Sequence, residues 1–398
     1  MNLFGFGVAP SKRREAMIDA GSHSVKALIV ERDGPTRCPR VIKKMIMVSH
    51  AYGSAKGMIE RIGHLVASFM KDDAFRPQRI VVGIGPSIAK CWVASWTWAR
   101  ERREPGVSAG ELASVFKGLY GARRATDPLL FAVPLHAMVD GYPVPPDFLA
   151  APQKAKDMQL LPRRRHQTQP VFLFQTFVAQ FGPEVSAGLE RIRTQWGGVP
   201  IDASPLAFLY RNAISEVLGM RDALVVDIGG EQTALVRVKD GVIFWMSSLP
   251  IGVHQAVRAL AHSAGITPSE AEEAIRAYTQ GMKSNTETTR VRQALLGVAA
   301  AWKEGFVAAL DSAYQMGPMS QHVVLAGGGA AIPEFATMAR ESEWIRKYSH
   351  VSAPEVQILS GSRLFEGDSL GGTLIGPEDA SLAALMKYAA YSSKNILS

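Results

Sequence analysis

The sequence is poor in cysteine. Cys38 and Cys91 are the only two in 398 residues, far apart and in no metal-ligand spacing. That argues against a disulfide framework and a zinc site, and fits a reducing compartment. Long apolar runs are also missing. No segment approaches the roughly 18 consecutive apolar residues that span a bilayer. The opening Met1-Asn2-Leu3-Phe4-Gly5-Phe6-Gly7-Val8 is apolar but short, and basic residues follow it, the reverse of a secretory signal. It reads as a frayed terminus or as a small interfacial anchor, with Leu3, Phe4 and Phe6 inserting and Lys12, Arg13 and Arg14 meeting anionic lipid. Aromatics are not interleaved with the basic clusters at Lys12–Arg14, Arg100–Arg103 and Arg163–Arg165, so the net charge of +8 does not point to nucleic acid.

The remainder is ordinary globular composition. With 47% hydrophobic and 20% charged residues, the chain has enough apolar material for two sizeable cores. Two strand-like runs at 17–30 are joined by a polar turn, and 53–70 has helical apolar spacing. A short buried strand is expected over 79–85. Residues 105–120 read as a helix capped by Ser108 with Glu111 three positions on. Strands follow over 129–139 and 170–179, separated by a proline-rich stretch, and a helix over 183–195. This looks like an α+β module inserted into the first half. From residue 221 the rhythm resets. Strands at 223–228, 234–238 and 242–247 turn at Asp240-Gly241. Helices follow at 254–264, after the Thr267-Pro268 start, and over 291–314, and a last strand at 321–326 runs into three glycines. The two halves share one plan, a hairpin with an acidic glycine turn and then helices, which suggests two similar lobes around a cleft.

Three segments carry chemistry. In Asp19-Ala20-Gly21-Ser22-His23-Ser24-Val25-Lys26, Gly21 allows close backbone approach to a phosphate and Ser22 and Ser24 add hydroxyl donors. Asp19 would hold Mg²⁺ and Lys26 would offset charge. Asp227-Ile228-Gly229-Gly230-Glu231-Gln232-Thr233 repeats the device after an apolar strand. The run 323–333 places Gly327-Gly328-Gly329 between a strand and a helix start, suited to an adenosine and its phosphates. Singly, each is more often a plain glycine turn; three in this order are harder to attribute to chance.

The three segments resemble the phosphate-1, phosphate-2 and adenosine motifs of the actin/Hsp70 ATPase superfamily. Within it the chain resembles the FtsA and PilM group of bacterial assembly proteins. Leu249-Pro250-Ile251-Gly252, Gly265-Ile266-Thr267 and Glu270-Ala271-Glu272-Glu273-Ala274 are similar to segments of both, and Val139-Asp140-Gly141 to the FtsA 1C pattern. The resemblance implies an α/β actin-like ATPase fold: two RNase H-like lobes around a nucleotide cleft, with an inserted α+β subdomain of the 1C (SHS2) type. The first lobe would comprise 1–86 and 181–222, the insertion 87–180, and the second lobe 223–398 with a C-terminal return to the first. It further implies ATP and Mg²⁺ as cofactors. Asp19, Gly21, Ser22, Asp227, Gly229 and Gly230 would face phosphates and metal, with Asp19 and Asp227 nearest the metal. Gly327, Gly328 and Gly329 would face the adenosine. Glu272 would reach the ribose or base with Arg276 one turn on, although a solvated helix face explains Glu272 equally well.

The family's phosphate-2 motif usually continues with glycine, two threonines and an aspartate. Here Glu231 and Gln232 intervene and Ala234 stands where the last aspartate would be. Glu231 disfavours a triphosphate unless it points away or meets the metal. Binding with slow or absent hydrolysis is therefore expected. The expected role is a scaffold of a membrane-associated machine, FtsA-like in cell division, with PilM-like type IV pilus assembly as the alternative. Its partner would be a membrane-associated protein of either machine. Dimers or filaments, weak contact with anionic membrane and a cytoplasmic, peripheral location are expected too. A small-molecule kinase of the same fold and a structural pseudo-ATPase are the readings of other classes.

Overall fold

The computed structural model describes residues 13–32, 39–48, 54–99, 107–124, 131–139, 142–144, 159–161, 171–282, 285–348, 353–365 and 369–395. Leu3, Phe4, Phe6, Lys12, the clusters Arg100–Arg103 and Arg163–Arg165, Asp140 and Gly141 lie outside them.

The chain opens with an antiparallel meander, β1 (Arg13–Ala20), β2 (Ser24–Arg32) and β3 (Arg40–Val48). Helix α1 (Ala55–Met70) crosses over to β4 (Arg79–Ile84), which pairs parallel to β1. Strand β1 is buried on both faces, and the period of two divides its residues. Ala16, Ile18 and Ala20 pack with α1, whereas Met17 packs on the opposite face.

A second α+β unit intervenes. It comprises β5 (Lys90–Ala99), β6 (Val107–Ser108), α2 (Ala109–Arg124), β7 (Phe131–Val139), β8 (Tyr142–Pro143), β9 (Gln159–Leu161) and β10 (Val171–Gln180). Strands order β5-β10-β7-β8, and β6 pairs separately with β9. The Ser108 cap forms, accepting from the Glu111 amide at 3.1 Å. The chain then returns through α3 (Pro183–Gln195) to β11 (Ile201–Pro205), which completes the first sheet in the order β11-β4-β1-β2-β3. Helix α4 (Leu206–Asn212) follows.

The second half repeats this plan strand for strand. β12 (Ala223–Ile228), β13 (Thr233–Lys239) and β14 (Val242–Leu249) form the meander. Asp240 (φ 53°) and Gly241 (φ 80°) make its two-residue turn, the backbone that an Asp-Gly pair favours. Helices α5 (Val253–Ala264), α6 (Pro268–Thr279) and α7 (Asn285–Tyr314) lead to β15 (His322–Ala326), parallel to β12. After α8 (Pro333–Arg340) and α9 (Ser342–Lys347), β16 (Glu355–Ile358) closes a sheet ordered β14-β13-β12-β15-β16. Each lobe is thus an antiparallel meander with two parallel strands added beside its first strand.

The last helix, α10 (Ala380–Asn395), runs back to the first lobe and packs on β1 and β4. With α4 it forms a layer between the sheets. Leu206, Leu209 and Leu385 share one apolar core with Met17 and Val81 from one sheet and Val225 and Val236 from the other. A second-lobe core centres on Trp302, wholly buried, stacked on Phe306 at 5.1 Å. Its indole N–H donates to Thr233 Oγ1 at 2.9 Å, and Thr233 donates to the Ile251 carbonyl at 2.7 Å. Trp302→Phe loses one buried hydrogen bond and part of the packing, so a loss of about 1–2 kcal/mol is expected by urea denaturation. A change below about 0.5 kcal/mol would show that the bond is dispensable.

Candidate functional site

The two meander turns are the same object built twice. Asp19 sits one residue before the end of β1 and Asp227 one before the end of β12. In the first turn the Gly21 amide donates to the Ser24 carbonyl at 3.1 Å; in the second the Gly229 amide donates to the Gln232 carbonyl at 3.0 Å. The loop is tighter than the sequence suggested, because Asp19, Ala20 and Ser24 all belong to strands. Ser22 Oγ accepts the Glu231 amide at 3.3 Å, so the turns of the two lobes touch.

Both aspartates are buried. Asp19 Oδ2 accepts from Ser381 Oγ at 2.5 Å, while Asp19 Oδ1 has no hydrogen-bond partner among the described residues. Asp227 Oδ1 accepts from Tyr210 at 3.4 Å. Burial raises the Asp19 pKa, opposed by Lys26 and Ser381, with Asp379 adding to the rise. Burial, then the charge of Asp19, push Asp227 up to about 7. Burial and the two aspartates also push the Tyr210 hydroxyl well above its ordinary range. Paired, desolvated carboxylates with an unpartnered oxygen have the chemistry of a hard-cation site. Lys26 Nζ donates to the Glu378 carbonyl, and Lys44 pairs with Asp379 at 2.8 Å. Ser381, Tyr210, Glu378 and Asp379 come from α4, α10 and the 3-10 turn Pro377–Asp379. Sequence reasoning singled out none of them, since no local motif marks them.

The glycines after β15 differ in purpose. Gly327 has φ +82°, and a methyl there would meet Asp227 Oδ1 and the Ile228 carbonyl. Gly329 lies against the Ile228 side chain. Gly328 faces open space, with nothing within 4 Å of where a Cβ would be. Packing therefore explains two of the three glycines. The expected helix start is a 3-10 turn, Gly328–Ala331, followed by α8.

Glu231 does not face the aspartates. Its carboxylate meets His254 Nδ1 at 2.8 Å. His254 Nε2 lies 2.8 Å from His23 Nδ1, and His23 Nε2 lies 3.0 Å from Glu272 Oε1. Glu272 also pairs with Arg276 at 3.2 Å. The sequence placed His23 in the first motif but gave it no role, and His254 none at all. Ala234 sits opposite Asp227 in the ladder, where the family's last aspartate would stand.

Mg²⁺ fits the donor set of Asp19 and Asp227, and the open side of Gly328 fits close approach by a ligand. The contact between the turns leaves no room for phosphate groups between Ser22, His23 and Gly230 as they stand. A Cβ on Gly230 would lie 2.8 Å from His23 Cβ and 3.0 Å from Ser22 Oγ. The lobes must separate at this point to admit a polyphosphate.

No family model and no curated protein matches the sequence. Solved structures do match. A chain of a structure described as the PilM-PilN type IV pilus biogenesis complex aligns at TM-score 0.62 and 16% identity, over 94% of this chain and 98% of that one. The ethanolamine utilization protein EutJ from Carboxydothermus hydrogenoformans aligns at TM-score 0.47 and 13% identity, over 95% and 89%. A Bacteroides thetaiotaomicron protein with actin-like ATPase fold aligns at 0.40 and 8%, over 95% and 96%. The doubled five-stranded topology and the full-length alignment give the fold. The chain has the actin-like ATPase fold, two α/β lobes whose first turns meet.

Proposed function

We propose that this chain is a nucleotide-binding, actin-like scaffold of type IV pilus machinery, working with a membrane-associated protein partner at the inner face of the membrane. The observation that carries the nucleotide reading is the pair of equivalent turns, each behind a buried aspartate, with Asp19 Oδ1 unpartnered among the described residues. Asp19 and Asp227 would hold Mg²⁺. Gly21, Ser22, Ser24, Lys26, Gly229 and Gly230 would take the phosphates of ATP, and Gly327, Gly328, Gly329 and Glu272 the nucleoside. The pilus role rests on the full-length likeness to a chain of the PilM-PilN complex. Nothing comparable favours cell division, the role expected first. Among the described residues no helix is long and apolar enough to cross a membrane, which fits a peripheral position. Residues 87–180, with their own sheet, are read as a module inserted into the first lobe.

Calorimetric titration tests the site. Wild type should bind Mg·ATP, and Gly328→Trp, whose Cβ would have no described atom within 4 Å, should weaken binding by at least about 100-fold, on the order of 3 kcal/mol, without unfolding. Equal binding by the variant, or none by wild type, would remove the reading. In cells, deleting the gene should abolish surface pili and leave division intact; filamentous cells would restore the division role.

A further inference from the structure

His23 and His254 come from different lobes, 231 positions apart, and meet edge to face with ring centroids 4.9 Å apart. A carboxylate stands at each end. Glu231 is at His254 Nδ1 and Glu272 at His23 Nε2, giving three consecutive contacts of 2.8, 2.8 and 3.0 Å. His254 is almost wholly enclosed, at 2% exposure.

Proton counting makes this relay unusual. With both carboxylates ionised, each end contact needs an imidazole N–H. The central contact needs one N–H facing one bare nitrogen. Three protons must therefore sit on four ring nitrogens, one more than two neutral imidazoles carry. The pair shares a single positive charge between two negative ones. A further proton would set N–H against N–H at the central contact and break it.

We propose that Glu231, His254, His23 and Glu272 form a latch between the lobes, one that nucleotide phosphates must displace and that both acid and alkali loosen. The latch occupies the ground between the phosphate-facing turns, so its role as a competitor rests on the nucleotide reading above. Charged groups around it act on the acid side. Burial lowers the His23 pKa, opposed by Glu272 on α6; the His254 imidazole on α5 and Lys26 on β2 lower it further. The closed form therefore resists the extra proton that separated, solvated imidazoles take up below an ordinary value of about 6.5. Separated imidazoles carry two ring protons well above about 6.5 and four well below it, against three in the closed form, so the latch is firmest near pH 6.5 and weakens on either side.

Amide hydrogen exchange at 20–24 and 229–233, without nucleotide and corrected for intrinsic rates, tests the latch in the full chain. Wild type should exchange about eightfold faster at pH 5.0 and at pH 8.0 than at pH 6.5. His254→Phe, which keeps the bulk, and Glu231→Gln should exchange fast at all three. Both variants should also bind Mg·ATP about tenfold more tightly. Wild-type exchange independent of pH, or variants that exchange as slowly as wild type, would overturn the latch. So would nucleotide affinity unchanged in both variants while wild type binds. If no protein binds nucleotide but exchange responds as expected, the nucleotide reading fails and the clasp between lobes stands.

Discussion

Gly252→Ala is expected to destabilise the second lobe by more than about 3 kcal/mol, the range reserved for changes with nowhere to relax. Backbone strain is not the reason, because Gly252 has an extended φ of −149°. The reason is contact. A Cβ there would lie 2.5 Å from the Gly229 carbonyl oxygen, 2.6 Å from that of Gly230 and 2.9 Å from the Gln232 nitrogen, all of them backbone. These atoms cannot retreat. The Gly229 and Gly230 carbonyls accept the first amides of α5, from Val253 and His254, at 2.9 Å each. On its other side the turn presses against Ser22 and His23 of the first lobe. A methyl group must either lift α5 from the turn, losing two hydrogen bonds of about 1 kcal/mol each, or drive the turn into the opposite lobe. Gly297→Ala is the control. Gly297 lies within α7, with nothing within 4 Å of its would-be Cβ. The same added methyl should stabilise there by about 0.5–1 kcal/mol. Urea denaturation of the two variants should give opposite signs. A Gly252→Ala protein within about 1 kcal/mol of wild type would mean that the turn yields more readily than its hydrogen bonds suggest.

That same glycine shows how far the sequence could be read. Leu249-Pro250-Ile251-Gly252 resembles a family segment in the sequence, but its purpose is visible only where the second turn's carbonyls accept the first amides of α5. Local signals served well where the chemistry is local. Asp240-Gly241 makes its hairpin, and Thr267 caps α6 by accepting from Glu270. The paired acidic glycine turns stand at equivalent places in the two lobes. Signals failed where burial is decided by distant partners. The C-terminal segment shows no clear helical pattern in the sequence because α10 has no single apolar stripe. It lies between two sheets, and consecutive residues from Leu382 to Met386 are all buried. Strand β3 was not foreseen. Arg40, Lys43 and Lys44 interrupt its apolar pattern, as suits an edge strand. Glu231 was read as a carboxylate set near the phosphates. The helix carrying His254 turns it aside, and nothing in the local sequence announces that pairing.

The largest electrostatic effect is expected at Asp227. Its pKa of about 7 stands well above the ordinary 3.8. The folded protein therefore keeps a proton over a range where the unfolded chain has released it. Stability from this group is greatest at the acid end and falls as pH rises from about 4 to about 7. Above that, the folded state carries the full penalty of a buried anion beside Asp19, on the order of 4 kcal/mol for a span of this size. Asp227→Asn keeps the shape and the acceptor for Tyr210 while removing the charge. It should stabilise the metal-free protein at pH 8 by about 2–4 kcal/mol and leave it nearly unchanged at pH 4. A divalent cation between the carboxylates would relieve the same repulsion. Mg²⁺ should then stabilise wild type at pH 8 and do little at pH 5, where Asp227 is protonated and cannot serve as a ligand. The asparagine variant should respond weakly at either pH. Denaturation curves with and without Mg²⁺ give all the comparisons. A metal-free Asp227→Asn protein no more stable than wild type at pH 8 would show that the aspartate pair is already neutralised. Mg²⁺ stabilisation of equal size in both proteins would place the cation away from Asp227.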